Sequence, residues 1–363
     1  MKSILTFVIS VFITLHSISQ ENHSVKFQDH IRHFADTIGF AHQQWQMDSI
    51  FKRINNTQSE LLISTDKTFK EPIKVAICPH DDYTYVGYLY PAILKHIRAK
   101  NIILFGVAHK ARYLGLEDKL VFDSFDAWAC PYGNLAVSSI RELLIQHINS
   151  DLYTVNDSMQ TMEHSVEALL PFIQKYNPDV KITSILVPYM PFNLLDKIAQ
   201  ETANKLYTIC NDNNWSWGKD FAIVISNDAV HYGDEDWGTN QLNYFGGDST
   251  GYQMAMDFES FLVDQCLQGY NQKQRIEALY RYLNTSEDYK KSRWAWCGRF
   301  SVPMGLLTSY YLQQLLNIHL TGEKIGYATS IDHDHIKVDD LNMGQTAAAN
   351  IHHWVGYLGM VYY

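Results

Sequence analysis

Apolar residues in this chain fall into two alternating patterns: short unbroken runs, and longer stretches in which they recur every three or four positions. The unbroken runs read as buried strands and the periodic stretches as amphipathic helices. IKVAIC (73–78) is a run of the first kind and stops at Pro79. YVGYLYPAILKHIRA (85–99) has helical spacing, and NIILFGVAH (101–109) is a second buried run that breaks at Gly106. Residues 119–138 read as an extended excursion with a turn at Pro131-Tyr132-Gly133. Helices are predicted over 139–148, 165–176 and 194–212, and strands over 180–190 and 220–228. The pattern then turns helical, over 249–269, 272–284 and 302–320, before closing strands at 324–332 and 355–363. Strands spaced by helices predict an α/β fold whose mostly parallel sheet is covered on both faces.

Composition adds bounds. The chain has 363 residues, of which 46% are apolar and only 9 are proline. No Gly-, Ser- or Pro-rich linker divides it, so residues 21–363 are expected to form a single domain. Residues 1–20, MKSILTFVISVFITLHSISQ, have the layout of a secretory signal peptide: a lysine, a short apolar run, then small polar residues. The run from Ile4 to Leu15 is too short to span a bilayer. An exported protein, periplasmic or secreted, is expected, with no membrane segment after signal removal. The formal net charge is −10, with no run of Lys and Arg. Such a surface excludes nucleic acid as a natural partner.

There are five cysteines, Cys78, Cys130, Cys210, Cys266 and Cys297. An odd number leaves at least one thiol unpaired within the chain, and the wide spacing does not suggest a disulfide framework. A lone thiol that survives export is either buried and inert or held by a metal.

The ends of the strands carry the candidate chemistry. The run at 73–78 is followed by His80, Asp81 and Asp82, the run at 101–106 by His109, and the run at 220–226 by Asp228 and His231. Ligands of open α/β sheets bind outside the carboxyl ends of the strands, so three imidazoles placed there by three strands can converge on one crevice. A fourth element is WAWCGRFSVPMG (294–305). Ser301 is positioned to cap the following helix, with Pro303 in its first turn. Cys297 precedes that helix, where the dipole and Arg299 favour a thiolate. Cys297 therefore reads either as a metal ligand or as a small buried residue beside two tryptophans. Asp228 and His231, three apart, read as an acid/base pair, as a supporting carboxylate with its imidazole, or as a helix cap with an incidental histidine. In TMEHSVEALLPF (161–172), His164 and Glu167 would share one face of a helix start. The loops 330–340 and 350–356 are richer in His and Asp, but acidic loops with histidines commonly bind nothing specific.

Taken in order, these motifs resemble those of the Memo family, also called AmmeMemoRadiSam system protein B. DTIGFAH (36–42), PHDDYTYVG (79–87), FGVAHK (105–110), MEHSVEALLPF (162–172), SNDAVHYG (226–233) and CGRFSVPMG (297–305) are the counterparts of that family's motifs. The resemblance spans roughly residues 36–363. It implies a three-layer α/β/α sandwich similar to class III extradiol dioxygenases. It also implies a metal held by His80, His109 and Cys297, with His231 as acid/base and Asp228 beside it. The chain departs from the family pattern at Asp81 and Asp82, where the family has small residues, at Lys110, and before Pro303. The lining of the pocket is therefore particular to this chain, with Asp81, Asp82, Tyr83, His164, Glu167 and Arg299 expected around the substrate.

Together these features point to a metal-dependent oxidoreductase using iron(II) or copper. The alternatives are a non-catalytic metal- or peptide-binding scaffold, and a zinc-dependent hydrolase in which His231 and Asp228 activate water. The expected partner is a small molecule or peptide in the metal-containing crevice.

Overall fold

The computed structural model describes residues 30–238 and 240–363; the proposed signal peptide lies outside them. Ten strands form one sheet: β1 (Val75–Cys78), β2 (Asn101–Val107), β3 (Leu120–Phe122), β4 (Tyr153–Val155), β5 (Lys181–Val187), β6 (Phe221–Ser226), β7 (His231–Gly233), β8 (Gly269–Tyr270), β9 (Thr321–Thr329) and β10 (His353–Tyr362). Their order is β8-β9-β10-β1-β6-β2-β5-β3-β4, with β7 paired to β10. The core strands β1, β6, β2 and β5 are mutually parallel. The flanks are not: β8, β9 and β10 join antiparallel to one another and to β1, and β3 runs antiparallel to β5. The sheet is therefore mixed rather than mostly parallel. The two closing strands can lie antiparallel because an antiparallel connection needs no crossover helix.

Side chains of the central strands alternate between two cores, as the two-residue period of a strand requires. Ala76, Cys78, Ile102, Leu104, Ala222 and Val224 face one side, where the helices Gln44–Thr57, Leu89–Leu94 and Leu170–Tyr176 pack. Val75, Ile77, Ile103, Phe105, Ile223 and Ile225 face the other, under Phe192–Asn213, Ser249–Leu262, Lys273–Leu283 and Ser301–Leu316. Each fully buried Ile or Leu contributes roughly 1.5–3 kcal/mol, so a sheet covered on both sides is strongly preferred over an exposed one. The helix Ser301–Leu316 is apolar almost all round because it lies between the sheet and Phe192–Asn213. Gly305 lets it approach closely, since a Cβ there would lie 2.5 Å from Ile225.

Two local expectations change. The helix over 85–99 is instead two short ones, Tyr83–Val86 and Leu89–Leu94. Pro91 has no N–H to return to the carbonyl of Gly87, which separates them. The helix starting near Thr161 is also absent: Asp157–Thr161 ends there and the next α-helix begins at Leu170. The Glu163 carboxylate takes the N–H groups of His164 and Ser165, so the segment between forms a turn, and His164 and Glu167 do not share a helix face. All five cysteines are unpaired. No helix among the described residues is long and apolar enough to cross a membrane.

Candidate metal centre

β1, β6 and β2 are neighbours in the sheet, and each delivers a polar residue just beyond its carboxyl end. His80 follows β1, Asp228 and His231 follow β6, and His109 follows β2. Cys297 comes from elsewhere in the chain, ahead of the helix Ser301–Leu316. Its N–H bonds to the Asp228 carbonyl at 3.0 Å, and Trp296 bridges to Val230. Gly298 is needed beside it: its N–H meets Asn227 Oδ1 at 3.0 Å, where a Cβ would come within 2.2 Å of that oxygen.

One ligand atom each from His80, His109 and Cys297 lies within 4.8 Å of the others. His109 Nε2 is 3.2 Å from Cys297 Sγ, and the rings of His80 and His109 are 5.2 Å apart at 73°. His109, Glu163 and His164 form a second such group, but the four N–H groups on Glu163 leave its oxygens little freedom to bind a metal.

The hydrogen bonds assign the imidazole tautomers. Ser226 Oγ donates its one proton to the Ser165 carbonyl at 2.6 Å and lies 2.7 Å from His80 Nδ1. It must therefore accept from Nδ1–H, which leaves a lone pair on His80 Nε2. That nitrogen is buried and has no hydrogen-bond partner. It faces Asp228 Oδ2 at 3.4 Å. Two acceptors so placed need a cation or a proton between them. His109 Nδ1 donates to Glu163 Oε1 at 2.9 Å, turning its Nε2 toward Cys297 in the same way. Carboxylate and hydroxyl partners behind the ring nitrogens are the usual support for ligand histidines. Two imidazole nitrogens and a thiolate are thus turned inward and held from behind, and the donor set fits iron, copper or zinc.

The charges agree. Burial raises the Cys297 thiol, but the adjacent His231 and His109 outweigh it and hold the group well below its usual range. Burial lowers His231, and the Cys297 thiolate overcomes that, lifting it to about 9. Burial pushes Asp228 up to about 7 against the pull of His80. Burial also raises Glu163, but His109 and the N–H groups on its oxygens bring it far below the usual carboxylate range. His164 stacks on His109 at 4.9 Å and 10°, and burial with the His109 charge lowers it to about 4.

The centre opens into a cleft of about 600 Å³ bordered by Asp81, His164, Asp228, His231, Asp236, Trp237, His353 and the segment Gln345–Ala348. Asp81 and His164 are thus brought to the cleft. Four expected lining residues are not. Tyr83 is fully buried and its hydroxyl donates to the Ala168 carbonyl at 2.8 Å. Asp82 is buried and accepts from the N–H and hydroxyl of Thr346 at 2.6 and 3.0 Å, which ties down the cleft wall from behind. Glu167 is occupied by Arg32 and by the N–H of Ala35 at 2.8 Å. Arg299 points away, donating to the Lys290 carbonyl at 2.9 Å over the rings of Phe300 and Tyr189. Asp228 supports His80 through its N–H at 2.8 Å rather than His231, whose Nε2 is instead 3.4 Å from Cys297 Sγ. No helix follows Asp228, and Ser301 does not cap: its hydroxyl donates to the Ser226 carbonyl at 2.9 Å.

Sequence reasoning did not single out Ser226, Trp237, His353 or the Gln345–Ala348 wall. Trp237 stacks on His353 at 3.8 Å and 11°, a pairing of residues over a hundred positions apart that no local pattern signals. Of the histidine-rich loops, His333 and His335 bond to the backbone carbonyls of Tyr85 and Ser330 at 2.7 and 2.6 Å, while His353 reaches the cleft.

Fold and site together define a class: an α/β protein with a His/His/Cys cluster capable of binding a metal beyond the parallel strands of its sheet. The comparisons agree. The model of the Memo-like protein family matches residues 44–339, and the chain belongs to that family. A MEMO1 family protein of Aquifex aeolicus is 29% identical over 182 residues, covering 49% of this chain and 61% of the relative. One from Desulfurococcus amylolyticus is 29% identical over 163 residues, covering 43% and 52%, and one from Pyrococcus horikoshii is 27% identical over 170, covering 45% and 55%. The matched part thus spans only about half to three fifths of the length of these relatives.

Proposed function

We propose that this chain is a metal-dependent oxidoreductase, similar in chemistry to extradiol dioxygenases, acting on a small molecule or peptide in the cleft. The observation that carries the reading is the buried lone pair of His80 Nε2, turned by Ser226 toward His109 and Cys297. His80, His109 and Cys297 would hold the metal, iron(II) or copper. Such a metal would supply a coordination position for oxygen or a substrate oxygen and a means of electron transfer, made easier by a thiolate ligand.

The chain's own residues do the rest. Ser226 and Glu163 orient the two imidazoles by accepting from Nδ1–H, which turns each Nε2 toward the centre. Asp228 supports the His80 backbone through Oδ1 and places Oδ2 3.4 Å from the ring. His231 is placed to hold or move a proton at Nε2, next to Cys297. Trp237 and Gln345–Ala348 border the cleft in which the substrate would lie. Export by residues 1–20 is part of the proposal, and it would put the centre in an oxidising compartment.

The test is anaerobic reconstitution with iron(II) or copper, followed by oxygen uptake. Uptake that needs bound metal and falls in His231→Ala supports the reading. Tight zinc binding with ester or amide turnover and no oxygen uptake opposes it.

A further inference from the structure

The cleft outside the metal centre presents two carboxylates, and beside them Trp237, whose buried indole N–H has no partner. Asp81 and Asp236 border it, and among its described lining residues there is no Lys or Arg. Asp81 is held in place, with Oδ1 accepting from the Asp82 N–H at 2.7 Å and Oδ2 from the Tyr357 hydroxyl at 2.6 Å. Neither bond removes its negative charge, and each oxygen keeps a second lone pair. His353 donates from Nδ1 to the Glu235 carbonyl at 3.0 Å, so its buried Nε2 is a further acceptor and has no partner. The indole of Trp237 also borders the cleft. Glu163 lies below His109. A bound anion would meet the two carboxylates and could pair only with imidazoles such as that of His231, whereas an organic cation would meet carboxylates and an aromatic ring.

We propose that the cleft selects substrates bearing a cationic nitrogen group, an ammonium or guanidinium, recognised by Asp81, Asp236 and Trp237. This deepens the oxidoreductase reading by naming its substrate class, and rests on it only for the reaction. The departure at Asp81 from the small residue of the family pattern thereby acquires a role.

The test is saturation-transfer NMR on the full-length protein, metal-free and zinc-loaded, with butylamine, butylguanidine, butanol and butyrate as probes. Butylamine and butylguanidine bind, butyrate does not, and added salt weakens binding. Asp81→Asn and Asp236→Asn each weaken the amine by about fivefold, in the range of a partly exposed charge pair. Asp236 is exposed, so its variant tests the proposal without risk to the fold. A lysine tripeptide that binds more tightly than butylamine assigns the cation to a protein side chain, and the reverse assigns it to a free amine. Butyrate or butanol binding as well as the amine, or an unchanged affinity in both Asp variants, overturns the proposal. Metal loading is measured in parallel. Amine binding by a protein that takes up no metal contradicts the oxidoreductase reading and leaves this one standing.

Discussion

Ser226 Oγ lies 2.7 Å from His80 Nδ1 while giving its own proton to the Ser165 carbonyl. One hydroxyl thus decides which nitrogen of His80 can bind a metal. Ser226→Ala removes that constraint and leaves Nδ1–H without a buried acceptor. Metal affinity is expected to fall about ten- to a hundredfold, with a native circular-dichroism spectrum. Competition titration against a chelator measures it.

Glu163 plays the same part for His109 and also closes the turn before Ser165. Its oxygens accept from His109 Nδ1 and from the N–H groups of His109, His164 and Ser165. In Glu163→Gln an amide NH₂ replaces one oxygen and faces a donor. The substitution is expected to cost about 2 kcal/mol in urea unfolding, as for other buried donors left without an acceptor. It also weakens metal binding, which separates it from a purely structural change elsewhere.

Glu259 is buried and holds the segment that leads into Cys297. It accepts from the indole N–H of Trp296 at 2.7 Å, from that of Trp294, and from the Tyr327 hydroxyl at 2.6 Å. Gln can keep both indole bonds and donate to the Tyr327 oxygen, but Leu can keep none. Glu259→Leu is expected to lose about 3 kcal/mol and to weaken metal binding through Cys297, with Glu259→Gln close to wild type. Burial raises Glu259 to about 7 in the folded chain. A raised carboxyl contributes stability below its unfolded value of 4.5 that is lost as pH rises through about 7. Wild type is therefore expected to lose stability relative to Glu259→Gln as pH rises from about 5 to about 8, read from the urea midpoints of both proteins at each end.

His96 lies far from the centre. Its Nε2 is buried without a partner, and burial followed by Lys95 lowers it to about 4. The neutral ring is favoured in the folded chain, so its contribution is present above about 6.5 and lost as pH falls toward 4. His96→Phe, packed edge-on against Phe69 as the imidazole is, is expected to reduce the loss of urea midpoint between pH 7 and pH 4.5.

Much of this site was legible because strand ends are legible. The runs ending before His80, His109 and Asp228 are continuous and apolar, and parallel strands bring the residues just past their carboxyl ends to one edge of the sheet. The mixed flanks were not legible, because strand direction at 321–329 and 353–362 is decided by pairing partners rather than by local pattern. The PHDDY stretch shows the same division within three residues. Asp81 reaches the cleft, whereas Asp82 turns back to hold Thr346, a contact 264 positions away in the chain. Glu167 and Arg299 look like site residues in the sequence, but Arg32 and Lys290 satisfy them elsewhere.

The oxidoreductase reading depends on His80, His109 and Cys297 binding one metal. Cobalt(II) loading of the full-length protein, read by elemental analysis and near-ultraviolet absorption, tests this. Wild type is expected to take up stoichiometric cobalt with a thiolate-to-metal charge-transfer band. Cys297→Ser should lose the band, and His80→Ala/His109→Ala should lose the metal. Stoichiometric metal retained by that double variant, or a charge-transfer band that survives Cys297→Ser, would contradict the assignment.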